Sequence, residues 1–542
     1  MAGLAQCHGE NLALKSSVVN VYMNEFQKED ETMKQFEMYE LTIKGEEPQG
    51  SQALVDVTAE FTCGGQTTKV KGFYAGDGNY KVRFYPSLAG TYTYRVSGLM
   101  QAEGSLVCLP NEDKKAGIVR AEGTHFVYDG GGLFKPFGTT IYALSHQEEE
   151  RIAQTMETLS TAPFNKVRHC VFPKHYDYNH NDPELYAFEK DADGKWDVNR
   201  PCFAFWEHLE KQIFALADMG IQSDLILFHP YDKWGFSHMT MEENLIYLDY
   251  LLRRFAAIPQ IWWSMANEYD LVMDRTMEDW YDIESFIVEN DPYHHLLSNH
   301  NCFGFYDFSR ENITHQCVQT ILVQKAADWM KEFEKPLCYD ECCYEGNLPL
   351  TWGNISGWEM ANRFWMAVCQ GAYATHGEVF LSDDEVLWWA KGGVLKGESP
   401  KRIAYLKEIV DAIPGAIEPW QEYHDFDIQA YMEKHHLESM EELQNSPLIS
   451  RFMNPNEVDD IVSKMKDYNA FGHVGEDYYI GYYGRHCNGI APWKLPEDHQ
   501  YKIEIIDMWN MTRDVTMTGV SGRFDVKMPG KEGIAVLASR ID

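Results

Sequence analysis

The central part of the chain alternates between two hydrophobic patterns. From about residue 131 onward, apolar runs of strand length are separated by stretches in which apolar residues recur every three or four positions, the spacing of an amphipathic helix. Leu245, Leu248, Leu252 and Phe255 show the helical spacing. The runs that predict strands cover residues 137–143, 165–172, 223–228, 260–266, 296–300, 315–320, 336–341 and 373–380.

Eight buried strands that alternate with helices over residues 131–420 predict a (β/α)8 barrel, the TIM barrel of the α/β class. The main alternative is a doubly wound open sheet, which normally carries a glycine-rich phosphate turn after its first strand. Residues 144–150 follow the first predicted strand and contain no glycine, so the pattern favours the barrel. Only the connection between the fifth and sixth strands lacks a clear helix.

A β-sandwich is predicted on each side of the barrel. Short alternating strands such as residues 80–84 and 91–96, separated by glycine-containing turns, indicate the first one. After Gly475 strands return at residues 478–483, 501–509, 514–520, 522–528 and 533–538. The predicted organisation is an N-terminal sandwich (1–110), a linker (111–130), the barrel (131–420), and a charged helical connector with a C-terminal sandwich (421–542).

The charge balance limits the classes of partner. The chain has 542 residues, with 47 Lys+Arg against 83 Asp+Glu, and its formal net charge is −36. Such a field repels phosphate backbones and anionic lipid surfaces, so neither a nucleic acid nor a membrane is expected as a partner. The first 15 residues lack the basic start and apolar stretch of a secretory signal. The expected location is therefore the cytoplasm.

The cysteines and histidines predict neither a disulfide framework nor a metal site. Twelve cysteines in a chain of 542 residues fall short of the density of a disulfide scaffold. No Cys-x-x-Cys pair occurs, and the 20 histidines form no His-Glu-x-x-His motif. We therefore expect no metal and no organic cofactor.

Two glutamates stand at the C-terminal ends of predicted strands, where the reacting groups of a barrel enzyme lie. The fourth strand ends in Asn267-Glu268 and the seventh ends at Glu341. Glycoside hydrolysis needs such a pair, because one carboxyl group protonates the leaving oxygen while the other attacks or stabilises the oxocarbenium carbon. A single glutamate after a strand is usually a solvated residue, but two at the mouth of one barrel favour catalysis.

The second carboxylate has alternatives in Asp340, Glu345 and Glu378. Alternation along the seventh strand puts Tyr339 and Glu341 on one face and Asp340 on the other. Because Glu341 ends the apolar run, it is the favoured residue, and Glu345 is expected in the loop that follows.

Further polar and aromatic residues near the strand ends suit a sugar pocket, since sugars offer hydroxyls to hydrogen-bond and C–H faces to stack. The candidates for substrate binding are Arg168, His169, His229, Trp234, Asn299, His300, His315, Gln316, His376 and Trp388. Each could equally be a satisfied structural residue. Arg168 could also orient a catalytic carboxylate through a charge-assisted bond.

The strand that ends in Asn267-Glu268, together with the glutamate that ends strand seven, resembles glycoside hydrolase clan A, the retaining (β/α)8 glycosidases. The resemblance implies that Glu268 is the acid/base, that Glu341 is the nucleophile and that Asn267 contacts the 2-hydroxyl of the sugar. A more extensive similarity is to the apiosidase-like barrels and their flanking β-domains, and it is carried by residues 134–140, 165–168, 263–268, 397–402 and 506–511. That family acts on diverse sugars, so the resemblance leaves the substrate open.

These observations predict a retaining glycosidase that removes a terminal sugar from small oligosaccharides or glycosides. Its two carboxyl groups should lie roughly 5–5.5 Å apart, with a raised pKa on the acid/base and an ionised nucleophile. The main alternative is a non-catalytic carbohydrate-binding protein on the same scaffold. A metal-dependent isomerase or lyase is disfavoured because no ligand cluster is evident. The sandwiches are expected to pack against the barrel rim, although they could also bind glycan or form a homo-oligomer interface.

Overall fold

The structure is a computed structural model, and it describes residues 19–22, 32–384, 386–420 and 468–542, with isolated positions between 432 and 445. Apart from those positions, the predicted helical connector after residue 420 lies outside the described residues. The first 15 residues, on which the expectation about a secretory signal rests, lie outside them as well. Among the described residues, no helix is long and apolar enough to cross a membrane.

Eight parallel strands form the barrel. They are β1 (Phe137–Thr140), β2 (Lys166–Cys170), β3 (Gln222–Phe228), β4 (Ile261–Ala266), β5 (Leu297–Ser298), β6 (Gln316–Gln319), β7 (Leu337–Glu341) and β8 (Tyr373–His376). Their order in the sheet is β5-β4-β3-β2-β1-β8-β7-β6. Each strand overlaps one of the eight predicted runs, and the pairing of β1 with both β2 and β8 is that of a barrel. The predicted fold is confirmed.

The ring of strands is completed between β5 and β6 without a shared ladder. The Thr314 backbone N–H donates to the Leu297 carbonyl at 2.9 Å, and the Ser298 hydroxyl donates to the His315 carbonyl at 2.7 Å. The connection between these two strands, residues 299–315, contains no helix, as the sequence predicted.

Helices cover the outside of the barrel. They are α1 (Glu149–Leu159), α2 (Phe203–Asp218), α3 (Met241–Phe255), α4 (Met277–Asn290), α5 (Ala326–Phe333), α6 (Gly357–Val368), α7 (Trp388–Lys391) and α8 (Ser399–Asp411). Thr240 and Thr276 form capping boxes that start α3 and α4, which satisfies backbone donors at those helix ends. Each long helix turns its apolar stripe towards the strands, so the barrel is enclosed by a continuous core.

Two sheets face each other in the N-terminal region. The order of the four-stranded sheet is Val19–Tyr22, Tyr39–Lys44, Asn79–Phe84 and Phe73–Tyr74. The order of the five-stranded sheet is Thr32–Lys34, Ala102–Leu109, Gly90–Gly98, Val57–Cys63 and Gln66–Lys71. Phe61 of the second sheet stacks on Phe84 of the first, with ring centroids 4.1 Å apart. This is the β-sandwich that the alternating pattern predicted.

Arg83 joins this sandwich to the helical side of the barrel. Its buried guanidinium donates to Glu40, to Glu210 of α2 and, at 2.6 Å, to the carbonyl of Arg254 on α3. A charge buried in this way is tolerable because carboxylates and a carbonyl surround it. The sandwich is therefore docked on α2 and α3.

A small three-stranded sheet closes the N-terminal end of the barrel. It consists of Val119–Glu122, His125–Tyr128 and Leu133–Phe134. Phe126 packs against Trp262 of β4 and Tyr373 of β8, with ring centroids 4.9 and 5.4 Å away. The segment predicted as a linker thus contains ordered strands that seal the base of the barrel.

The C-terminal region contains a six-stranded sheet and a two-stranded sheet. The order of the larger sheet is Glu418–Pro419, Asn469–Val474, Tyr478–Tyr483, Ile534–Arg540, Tyr501–Asp507 and Thr512–Val520, and the smaller one pairs Ile490–Lys494 with Arg523–Lys527. The five strands predicted here are confirmed. Tyr482 stacks on Trp365 of α6, so this region also packs on the barrel. Two short ladders lie in the barrel loops, Phe188–Lys190 with Trp196–Pro201 and Glu345–Gly346 with Glu378–Val379.

Candidate active site

Glu268 follows β4 in a strained backbone conformation. Its φ and ψ are 55° and 57°, the left-handed region that non-glycine residues seldom adopt and that is found mostly where a side chain must be aimed. The Glu268 backbone N–H donates to His300 Nδ1 at 3.4 Å. Its carboxylate accepts hydrogen bonds from the Tyr231 hydroxyl and, at 3.2 Å, from Asn267 Nδ2. The carboxylate is thereby held at the C-terminal mouth of the barrel.

Glu341 ends β7 and faces the same mouth. Its Oε1 accepts a hydrogen bond from the Tyr142 hydroxyl and lies 3.9 Å from Arg168 Nη1 and 4.0 Å from His300 Nε2. The Tyr142 hydroxyl is also 2.9 Å from Asn267 Oδ1. Because Asn267 contacts Glu268 in turn, a continuous chain of side chains connects the two carboxylates.

A β-bulge turns Glu341 towards the mouth. Val318 of β6 pairs with Tyr339, but the next residue, Gln319, pairs with Glu341, so Asp340 has no partner of its own on β6. Such a bulge changes the direction of the following side chain. Tyr339 points outward to the Val323 carbonyl, whereas Glu341 points inward. Strict alternation, which puts these two residues on one face, therefore fails at the end of this strand.

The electrostatics of Glu341 differ from the expectation of an ionised nucleophile. Burial, reinforced by the charge of Glu268, raises the pKa of Glu341 to about 7, against the opposing effects of Arg168 and Lys174. A buried carboxyl group next to a second carboxylate is harder to ionise, so Glu341 holds its proton up to about neutral pH in the free protein.

Asp340, one alternative to Glu341, belongs to a buried charge network inside the barrel. Its Oδ1 accepts hydrogen bonds from Lys166 Nζ at 2.5 Å and from the Thr375 hydroxyl at 2.6 Å. Lys166 also donates to Asp224 at 2.9 Å. Although burial acts in the other direction, Lys166 and Arg168 hold the pKa of Asp340 well below its usual range. Asp340 is thus committed to a structural ion pair.

The other two alternatives, Glu345 and Glu378, anchor the start of α8. Glu345 accepts the backbone N–H groups of Glu398 and Ser399 at 2.7 and 3.1 Å. Glu378 accepts those of Lys396 and Gly397 at 2.5 and 2.8 Å. Carboxylates are favoured at this position because the first amides of a helix have no partner within it. Both glutamates are buried and bind backbone away from Glu268 and Glu341.

Of the eleven residues predicted to bind substrate, the structure brings Asn267, Arg168 and His300 to the two glutamates. His229 lies 3.2 Å from the Phe172 carbonyl under the loop that follows β2. Trp234 lies in the loop that follows β3, and its indole Nε1–H donates to Asp182 Oδ1 at 3.0 Å. Neither of these two makes a hydrogen bond or ion pair with Glu268 or Glu341 among the described residues.

The remaining six predicted residues have structural surroundings. His315 packs edge-on against Trp262 and Phe126 at the base of the barrel, and Gln316 donates to the Lys335 carbonyl. His169 is fully buried one residue from Arg168 on β2, and alternation directs it outward to the helices. Asn299 accepts the Ala266 N–H, while His376 and Trp388 both contact the Thr139 hydroxyl.

For three of these six residues, the prediction did not distinguish the two ends or the two faces of a strand. His315 and Gln316 lie at the start of β6, which is the wrong end of a barrel strand for catalysis. His169 is on β2 but faces the wrong way. In these three cases the residue type suited a sugar pocket while its position in the strand did not.

Four residues at the mouth are absent from the predicted substrate-binding residues. They are Tyr142, Lys174, Tyr231 and Tyr344, which follow β1, β2, β3 and β7. Tyr142 and Tyr231 donate to the two glutamates, and the Tyr344 hydroxyl lies 3.4 Å from that of Tyr142. All four lie on the C-terminal side of a strand, so the rule that selected Glu268 could have selected them.

Comparison with known proteins gives three matches to family models. Residues 120–444 match the apiosidase-like catalytic domain. Residues 32–98 and 468–539 match two domains of unknown function, DUF5060 and DUF5605. No curated protein matches the chain.

Solved structures extend the comparison. A presumed glycoside hydrolase from Bacteroides vulgatus ATCC 8482 is 32% identical, with a TM-score of 0.81, and the match covers 95% of this chain and 100% of that one. A glycoside hydrolase family 5 protein from the same strain is 15% identical, with a TM-score of 0.55, and the match covers 79% of this chain and 93% of that one. The second likeness shows the fold alone.

Proposed function

Because the chain belongs to the apiosidase-like family of catalytic domains, we propose that it is a retaining glycoside hydrolase in which Glu341 is the nucleophile and Glu268 the acid/base. The observation that carries the proposal is the pair of buried glutamates that β4 and β7 bring to one end of the barrel, each with its own tyrosine donor. The proposed glycosidase class agrees with the glycoside hydrolase structure from Bacteroides vulgatus that is 32% identical to this chain.

The reaction would proceed by two displacements. In the first, a carboxylate oxygen of Glu341 forms a bond to the anomeric carbon while the bond to the leaving oxygen breaks, and Glu268 gives its proton to that oxygen. In the second, Glu268 takes a proton from water, the water oxygen bonds to the anomeric carbon, and the ester bond to Glu341 breaks. The protein returns to its starting state, and no cofactor is needed.

The neighbours of Glu341 suit the role of a nucleophile. Tyr142 donates to its carboxylate, and Arg168 lies 3.9 Å away, so both would stabilise the charge that returns when the ester breaks. Asn267 presents its amide between the two carboxylates, where a hydroxyl next to the anomeric carbon would lie. We assign Asn267 to that hydroxyl.

We further propose that the substrate is the terminal sugar of a small oligosaccharide or glycoside. Glu268 and Glu341 are only 6% and 8% exposed, which suits a pocket that encloses one sugar better than an open cleft along a polymer. The net charge of −36 favours a neutral substrate over a polyanion.

Hydrolysis of a panel of aryl β-glycosides, pyranosides and furanosides together, tests the activity. We expect one sugar to be cleaved.

The Glu268→Gln variant, which keeps the shape of the side chain but cannot donate the proton, should lose about 10²–10⁴-fold in kcat/KM on a phenyl glycoside. It should lose far less on the dinitrophenyl glycoside of the same sugar, whose leaving group needs no proton. Equal losses on both would exclude Glu268 as the acid, and no cleavage by the wild type would favour a carbohydrate-binding protein.

The ionisation of Glu341 should determine how kcat/KM falls at low pH. A carboxyl group must be ionised to attack, and the pKa of Glu341 is raised to about 7. The raised pKa means that the reactive form is lost as the pH falls through 7. We therefore expect kcat/KM to fall about tenfold per pH unit below pH 7, measured on the sugar that the panel identifies. An acidic limb centred near pH 4.5, the ordinary range of a glutamate, would contradict this account of the pocket.

A further inference from the structure

Lys174 is a buried cation beside the proposed catalytic pair. It lies in the loop after β2 and is 3% exposed. Its ammonium is 3.3 Å from the centre of the Tyr142 ring, 4.3 Å from that of Tyr231 and 5.2 Å from that of Tyr176. No described residue accepts a hydrogen bond from Nζ, so the faces of the three tyrosines are its direct neighbours.

Two of those tyrosines are the ones that donate to the glutamates. Tyr142 donates to Glu341 and Tyr231 donates to Glu268. A cation over the face of a phenol ring attracts its electrons, which makes the hydroxyl a stronger donor. One ammonium group therefore acts on both hydrogen bonds that orient the carboxylates.

Among the described residues near the two glutamates, Lys174 is the one cation that does not also pair with another carboxylate. Lys166 is bonded to Asp224 and Asp340, and Arg168 is shared between Asp224 at 3.5 Å and Glu341 at 3.9 Å. The other titratable or charged groups close enough to interact with the charge of Lys174 are Cys170, Arg168, His229, His300, Glu268 and Glu341. Of these only Arg168 is a second cation at neutral pH, since burial lowers the pKa of both histidines.

We propose that Lys174 is a positioning residue, which acts through Tyr142 and Tyr231 to orient the two glutamates and through its charge to keep Glu341 ionised in the reactive state. This inference rests on the proposed function. It gives a role to a lysine that has no hydrogen-bond acceptor among the described residues and whose charged form burial alone would disfavour.

The pKa values of the two groups agree with this role. Burial and Glu268 raise the pKa of Glu341, and Lys174 is one of the groups that oppose the increase. Burial lowers the pKa of Lys174, while Glu268 and Glu341 act in the other direction. Lys174 and Glu341 thus stabilise each other's charged forms.

The kinetic test compares Lys174→Met, which keeps the length and removes the charge, with Lys174→Arg, which keeps the charge. In Lys174→Met the acidic limb of kcat/KM should move to higher pH by about one unit or more, a loss of about tenfold or more on that limb. At pH values above the shifted limb, activity should recover to within a few-fold. Lys174→Arg should keep the limb of the wild type. A uniform loss in both variants with an unmoved limb would overturn the proposal.

A second measurement needs no substrate, so its outcome is independent of the proposed function. The infrared absorption of the protonated Glu341 carboxyl group is isolated by subtracting the spectrum of Glu341→Gln, and it is titrated with and without the Lys174→Met change. The midpoint should lie near pH 7 with Lys174 present and should rise by about one unit or more without it. An unchanged midpoint would overturn the proposal even if a sugar is cleaved. Should Lys174→Met fail to fold, Lys174→Gln serves as the uncharged variant.

Discussion

Replacement of Glu341 by alanine is expected to lower kcat by roughly 10⁴-fold or more on the sugar that the protein cleaves, because the reaction then lacks its nucleophile. Azide should restore part of the activity. The shorter side chain leaves space next to Tyr142 and Arg168, and azide can attack the anomeric carbon from there in a single displacement. The product should be a glycosyl azide of inverted configuration, identified by NMR.

The matched control for this rescue is Glu341→Gln. Glutamine fills the same space, so azide should restore far less activity than in Glu341→Ala, although both variants lack the nucleophile. Substantial activity in Glu341→Ala without azide would show that Glu341 is not the nucleophile. Rescue with retained configuration would exclude the single displacement.

Replacement of Lys166 by methionine is expected to cost roughly 3–5 kcal/mol in the free energy of unfolding. Lys166 is fully buried, and its ammonium donates to Asp224 at 2.9 Å and to Asp340 at 2.5 Å. Without it both carboxylates remain inside the barrel, and Arg168 is the cation that still faces them among the described residues. The loss is measured by urea unfolding monitored by tryptophan fluorescence.

The double variant with Asp340→Asn provides the control. It removes one of the two carboxylates that Lys166→Met leaves unpaired, so about 1 kcal/mol or more of the lost free energy should return. A loss below about 1 kcal/mol in the single variant would contradict the account, since it would mean that the network contributes no more than a surface ion pair.

The barrel could be predicted closely because all eight of its strands are buried on both faces. Parallel strands of this kind are nearly continuous apolar runs, and β3, for example, is buried at every position from Gln222 to Phe228. The missing helix between β5 and β6 was visible because their connection lacks a clear helical spacing of apolar residues. By contrast, Ile490–Lys494 is short, alternates exposed with buried residues and contains Pro492, and a proline within a run argues against a strand.

The site could be predicted only in part, because its geometry depends on contacts distant in the sequence. Glu268 and Glu341 end long apolar runs, which made them recognisable. The bulge that turns Glu341 inward depends on the pairing of β6 with β7, and no local pattern encodes it. The local sequence does not distinguish Glu345 and Glu378 from Glu341, because the backbone amides at the start of α8 that bind them lie later in the chain.

The central claim is that Glu341 forms a covalent bond to the sugar, and trapping that intermediate tests it most directly. The 2-deoxy-2-fluoro glycoside of the cleaved sugar, with a dinitrophenyl leaving group, slows both steps and allows the glycosyl-enzyme to accumulate. Peptide mapping by mass spectrometry should find the mass of one fluoro-sugar on the peptide that contains Glu341, with Glu341 itself as the modified residue. A label on Glu345, Glu378 or any other residue, or turnover without a label and with inverted product, would contradict the account.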